Sequence, residues 1–151
     1  MFHRNKKGIT LVELIVTIGA LTLLFSMTVP KISKGRFYLL TVSRELRNDI
    51  RNIRYEKMAE GRNYKIAFEK RAYRLSEGPK IKKKVQLAKG YYIAQNFKDG
   101  EILFAYSGAP ATSGGTIYII DEDTNRHCEI TVVPDTGRVL FKDRVLEGYK
   151  P

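Results

Sequence analysis

The chain is poor in the residues that build reactive centres: one cysteine, Cys128, and two histidines, His3 and His127, in 151 residues. A single thiol excludes an intramolecular disulfide framework and a cysteine-rich zinc site, and two distant histidines leave little for a catalytic constellation. Acidic residues are scarce as well, 16 against 27 Lys and Arg, and the resulting charge of +11 suits an acidic partner such as nucleic acid or anionic lipid. Gly114-Gly115 lacks the strand-loop-helix setting and the Lys-Ser/Thr ending of a phosphate-cradling loop, so it reads as a tight turn. Cys128 beside His127 lacks a third catalytic member and reads as a core or interface thiol. With no nucleophile elbow, zincin helix or supported carboxylate pair in the sequence, the expectation is no enzyme activity, no cofactor and no bound metal. The acidic stretch Asp121, Glu122, Asp123 and Asn125 has the oxygen ligands for calcium, set against the simpler reading of a solvated turn.

What the chain does have is one long apolar run. From Ile9 to Val29 there are 21 residues with a single charge, Glu13, before Pro30 and Lys31 end the run. That length suffices to cross a bilayer as a helix. Arg4, Lys6 and Lys7 precede it, as in a secretory signal, but the run exceeds a usual signal core and lacks a clear small-x-small cleavage site. Glu13 is the informative residue. A carboxylate in the bilayer costs about 2.5–3.5 kcal/mol even on the lenient insertion scale, so a partner for it is implied.

The segment Lys7-Gly8-Ile9-Thr10-Leu11-Val12-Glu13-Leu14 closely resembles the processing site of type IV pilins and type II secretion pseudopilins. The resemblance implies cleavage between Gly8 and Ile9 by a prepilin peptidase on the cytoplasmic side, N-methylation of Ile9, and an apolar helix held in the cytoplasmic membrane until assembly. It also supplies the partner for Glu13: the amino terminus of Ile9 on a neighbouring subunit, a pairing that would neutralise both charges in an apolar filament core and set axial register. Ile9 departs mildly from the more usual Phe.

Beyond Pro30 the pattern turns amphipathic. Leu39, Val42, Leu46, Ile50 and Ile53 recur at helical spacing, and Gly61 is positioned as a carboxyl-terminal cap. From Asn63 the period falls to two. Tyr64, Ile66 and Phe68 alternate with polar neighbours, Lys70-Arg71 makes a turn, and Tyr73 and Leu75 continue as the second arm of a hairpin. Further strands are expected at 85–87, 91–97, 101–106, 116–121, 128–133 and 138–142, with Lys80 to Lys84 read as a solvated loop. The expected fold class is α+β: a long amino-terminal helix, membrane-spanning in its first half and amphipathic in its second, packed on an antiparallel β-sheet head. The expected segments are a cleaved leader over 1–8, a transmembrane and filament-core helix over 9–30, its amphipathic continuation over 31–61 and the head over 62–151.

The strand pair NYKIAFEKRAYRLS, then Phe104, Gly108, Ser113-Gly114-Gly115-Thr116-Ile117 and Asp135-Thr136-Gly137-Arg138-Val139, resemble the GspH/FimT/ComGD group of minor pilins, with spacing most like its competence members. That resemblance implies a low-abundance subunit of a type IV pilus-like filament, for DNA uptake or pilus assembly initiation, or alternatively a minor pseudopilin of type II secretion. The partners it implies are other pilin subunits, the prepilin peptidase, the membrane, the pilus assembly machinery and, in one reading, DNA. The localisation it implies is a single-pass protein of the cytoplasmic membrane with its head outside the cytoplasm, then a filament beyond it.

After Pro30 the chain carries 24 basic and 15 acidic residues, or +9. Arg44, Arg47, Arg51 and Arg54 lie at helical spacing, and are expected to serve in snorkelling and subunit pairing with Glu45, Asp49 and Glu56 rather than in phosphate binding. A Gly-Arg motif near the carboxyl terminus is associated with DNA contact in DNA-uptake members of the group. By partial resemblance the candidate DNA contacts are Arg138, Lys142 and Arg144, with Leu140 standing where the motif's second Arg would be.

Overall fold

The computed structural model describes residues 10–28 and 34–150, with the side chains of 25–28 and 34 outside the description. The leader, the Gly8/Ile9 cleavage point and Pro30 therefore lie outside the described residues. The chain divides into two compact units, Met1–Ile32 and Ser33–Pro151.

The first unit holds helix α1, Leu11–Thr28. Its start is encoded locally. Thr10 stands at the amino-terminal cap and its Oγ1 accepts a hydrogen bond from the Glu13 backbone N–H at 3.2 Å, the Thr-x-x-Glu arrangement of a capping box, and Glu13 puts its negative charge in the first turn where the helix dipole favours it. The hydroxyls of Thr17 and Thr22 bond back to carbonyls one turn earlier, at 2.8–2.9 Å, so neither seeks solvent. Among the described residues no helix is long and apolar enough to cross a membrane. The 18 residues of α1 rise about 27 Å, just short of a hydrocarbon core of about 30 Å. The helix expected over 9–61 is described in two parts, α1 and a second helix from Lys34, and the kink or local melting expected at Pro30 falls outside the described residues.

The second unit begins with helix α2, Lys34–Glu60. The expected stripe is its buried face: Leu39, Val42, Leu46, Ile50 and Ile53 are all buried, each Leu or Ile contributing about 1.5–3 kcal/mol by removal from water. Gly61 adopts φ +71°, a left-handed conformation glycine takes without a Cβ penalty, and its N–H reaches the Lys57 carbonyl at 3.1 Å to close the helix.

Two antiparallel sheets follow, where a single sheet was expected. The first has the order β3-β2-β1-β5, formed by Lys80–Gln86, Ala72–Glu77, Tyr64–Glu69 and Glu101–Leu103. The second has the order β4-β6-β7-β8, formed by Tyr91–Gln95, Gly115–Asp121, Arg126–Val132 and Val139–Phe141, with the short β9, Leu146–Glu147, also paired to β7. The division arises because β4 pairs with β6 rather than with its sequence neighbour β5. The hairpin β1–β2 has the expected register, with Phe68 opposite Tyr73 and Ile66 opposite Leu75. Both sheets give their alternating apolar residues to one core with α2: Ile66, Tyr73 and Ile102 from the first, Ile93, Ile117, Ile119, Cys128, Ile130 and Val132 from the second.

The Lys80–Lys84 segment corrects the expectation of a solvated loop, since it lies within edge strand β3, with a bulge that leaves Lys82 unopposed. Its lysines protect the edge against pairing with other chains. Lys83 turns inward at 2.9 Å from Glu45 and 2.7 Å from Asp49, and Asp49 also accepts the Tyr73 hydroxyl at 2.7 Å. Burial, then the Asp49 hydrogen bond, pushes the Tyr73 hydroxyl far above its ordinary value. Burial opposes the charge of Lys83, but its two carboxylate partners outweigh it and raise its pKa.

Candidate functional site

The first candidate region is the surface of α1. Residues 11–24 are exposed all round, including Leu11, Val12, Leu14, Ile15, Val16, Ile18 and Leu21. Apart from Glu13 its described side chains carry no charge on any face, and the Thr17 and Thr22 hydroxyls bond back to its own carbonyls. Glu13 lies one turn into that surface. The cap that Thr10 gives this helix was missed in the sequence, although the Thr10-x-x-Glu13 spacing is the signal that reveals it.

The second region joins α2 to the carboxyl-terminal segment through the helix arginines. Arg44 forms a two-pronged pair with Asp143, at 2.7 and 3.1 Å, and the hydrogen bond from Arg44 holds the Asp143 carboxyl below the usual range. Arg47 lies over the Phe141 ring at 5.6 Å. Arg54 donates to the carbonyls of Gly108, at 2.8 Å, and Thr136, at 3.1 Å. Moving toward the carboxyl end of α2, the partners therefore run backward through 143, 141 and 136, which fastens the last strands against the helix. Within the chain, Glu45, Asp49 and Glu56 are engaged not by these arginines but by Lys83 and Arg62.

Arg54 also explains why two distant glycines occur in the sequence. Gly108 and Gly137 approach so closely that a Cβ on Gly137, which has φ +62°, would run into the Gly108 carbonyl oxygen, the same oxygen that Arg54 binds. The 104–108 and 135–139 motifs, separate in sequence, thus meet at one guanidinium.

Between α2 and β8 runs an open groove of about 630 Å³, lined by Arg51, Asn52, Arg54, Tyr55, Met58 and Ala59 on the helix and by Arg138, Val139 and Leu140 opposite. Tyr55 is 68% exposed, Met58 48% and Leu140 48%. The three candidate DNA contacts have different surroundings. Arg138 lines this groove, Lys142 lies 3.9 Å from Glu129, and Arg144 is exposed while its carbonyl sits 3.7 Å from the Cys128 sulfur.

Cys128 is fully buried, and burial raises its thiol pKa, which disfavours the reactive thiolate. His127, 8% exposed, packs between Tyr118 and Tyr149, and burial lowers its pKa. In the acidic turn, Asp121 is buried and its two carboxylate oxygens accept the Asp123 N–H at 3.1 Å and the Thr124 hydroxyl at 2.8 Å. These are the bonds of a turn that Asp stabilises. Among the described residues no three His, Cys, Asp or Glu side chains gather as a metal-ligand group.

The described chain thus comprises an exposed, largely apolar helix in one unit and, in the other, a helix packed on two antiparallel sheets. No family model matches the sequence. No curated protein matches it. Among solved structures, two of the minor pseudopilin EpsH from the type II secretion system of Vibrio cholerae share the fold. One has a TM-score of 0.55 at 12% identity over 72% of this chain and 97% of that one. The other has a TM-score of 0.55 at 13% identity over 78% of this chain and 99% of that one. The chain thus has the α+β fold of a minor pseudopilin.

Proposed function

We propose that this protein is a minor pilin or pseudopilin: a structural subunit, not an enzyme, that is processed between Gly8 and Ile9, held in the cytoplasmic membrane by the helix from Ile9, and incorporated into a type IV pilus-like filament. The observation that carries the reading is α1, apolar and exposed on every face, in one chain with a head of EpsH-like fold. Membrane extraction and assembly would draw on helix packing, on Glu13 pairing with the Ile9 amino terminus of a neighbour, and on head contacts, with a separate assembly ATPase supplying work. Coexpression with a prepilin peptidase tests it. Mass spectrometry should find a chain beginning at methylated Ile9, and a Gly8→Val chain should stay at precursor mass. An unprocessed wild-type chain would refute the reading.

Within that role, the EpsH-like fold supports a secretion pseudopilus, and the head motifs support a DNA-uptake pilus or an initiator of pilus assembly. DNA contact by Arg138, Lys142 and Arg144 is favoured by one observation, the +9 charge of the chain after Pro30. It is tested by binding of short duplex DNA across a salt series. A DNA-contacting head loses affinity with a slope of about 0.9 per phosphate contacted, and changing Arg138 and Arg144 to Ala flattens that slope.

A further inference from the structure

Three of the four helix arginines at the α2–β8 junction have intramolecular partners, Asp143, Phe141 and two carbonyls, and Arg51 does not. Among the described residues its guanidinium has no hydrogen bond or ion pair, and neither has that of Arg138 across the same groove. Two like charges lining one groove repel each other, and an anion between them would relieve the repulsion. Beside them the groove exposes Tyr55, Met58 and Leu140, the first two one turn apart on α2. Arg, Tyr and Met are the residue types enriched at the centres of protein interfaces.

Resting on the filament reading, we infer that this groove docks an acidic segment with an apolar anchor from a neighbouring, different filament subunit. Its carboxylates bind Arg51 and Arg138, and its apolar side chain packs between Tyr55, Met58 and Leu140. Nucleic acid fits less well. Non-specific phosphate binding needs a continued row of free cations, but here the row is broken on one side by the Arg44–Asp143 pair and on the other by Arg54, which is held by the Gly108 and Thr136 carbonyls.

The test uses the full chain in cells that assemble the filament, with a photo-crosslinking benzoylphenylalanine at Leu140. The expected result is a light-dependent adduct to another filament subunit, mapped to a peptide with Asp or Glu beside an apolar residue. Arg51→Glu with Arg138→Glu should lower adduct yield by about tenfold, the equivalent of about 1.4 kcal/mol. Reversing the acids of the mapped segment to Arg should restore it, which a folding defect would not allow. An adduct indifferent to the charge reversal, an adduct to nucleic acid, or no adduct from a chain present in filaments would overturn the groove assignment. A wild-type chain absent from sedimented filaments would overturn the filament reading and the groove with it.

Discussion

The Gly108–Gly137 approach sets a measurable requirement. In Gly137→Ala the new Cβ meets the Gly108 carbonyl oxygen at a backbone with φ +62°. The left-handed conformation alone costs an L-residue about 1–2 kcal/mol. Relieving the contact moves the carbonyl that Arg54 binds at 2.8 Å, and loss of a hydrogen bond to a charged group adds about 1.5–3 kcal/mol. The sum is about 2.5–5 kcal/mol. Gly148→Ala provides the control, because Gly148 has φ +76° but open space where the Cβ would go. It should cost only the conformational part, about 1–2 kcal/mol, and the entropy that alanine removes from the unfolded chain is common to both. The head from residue 34, which has its own core, can be unfolded in urea and followed by far-ultraviolet circular dichroism. Equal slopes and a midpoint shift larger for Gly137→Ala are expected. If the two substitutions differ by less than about 0.5 kcal/mol, against the 1.5–3 kcal/mol assigned to the Arg54 bond, the packing of these two loops on Arg54 is not what requires glycine.

Glu13→Ala should sharply reduce incorporation into filaments while leaving membrane association intact; normal incorporation, measured by immunoblotting of sheared filaments, would remove Glu13 from the assembly account. The raised pKa of Tyr73 gives a stabilisation complete below about pH 10, the ordinary value, and lost as pH rises through the folded value. Thermal melts from pH 9 to 11 should therefore fall less steeply for Tyr73→Phe than for the wild type. His127 has the opposite sign: its lowered pKa gives stability present above the ordinary 6.5 and lost as pH falls. His127→Gln should flatten that acid limb between pH 7 and 5, and parallel limbs would show that the histidine does not carry it. Cys128 should react with a thiol reagent only once the head unfolds, and rapid labelling in native buffer would contradict its burial.

Local periodicity made most of the secondary structure legible. The α2 stripe from Leu39 to Ile53, the Gly61 cap and the β1–β2 hairpin each follow from spacing within a few residues. What was not legible depends on partners distant in sequence. Lys80–Lys84 reads as solvated because its charges dominate, and only the carboxylates of Glu45 and Asp49 on α2 draw Lys83 in from the strand. Strand β9 is two residues long and exists through its pairing with β7, far too short to show a period of its own. The helix arginines show the same limit. Their spacing was plain, but Asp143, Phe141 and the Gly108 and Thr136 carbonyls lie 54 to 99 residues away along the chain. The unpaired state of Arg51 could be recognised only after those three pairings were known.

On the filament reading, the two units answer opposite solvation problems, and that division bears on how assembly is driven. Apart from Glu13 the described surface of α1 is largely apolar, and the Thr17 and Thr22 hydroxyls are already bonded to its own carbonyls. Exchanging lipid for other such helices therefore yields little hydrophobic free energy, since both surroundings are equally apolar. The preference for the filament has to come from charged groups that gain a partner only there. Glu13 is one, because a carboxylate in the bilayer costs about 2.5–3.5 kcal/mol that pairing with a neighbour's amino terminus can offset. The unpaired guanidiniums of the head groove are the other, where a neighbour's acids can add both affinity and choice of partner. A single helix charge can set axial register in every subunit alike. The groove differs in kind, because its occupant must match two charges and an apolar cleft, and it can therefore distinguish one neighbouring subunit from another.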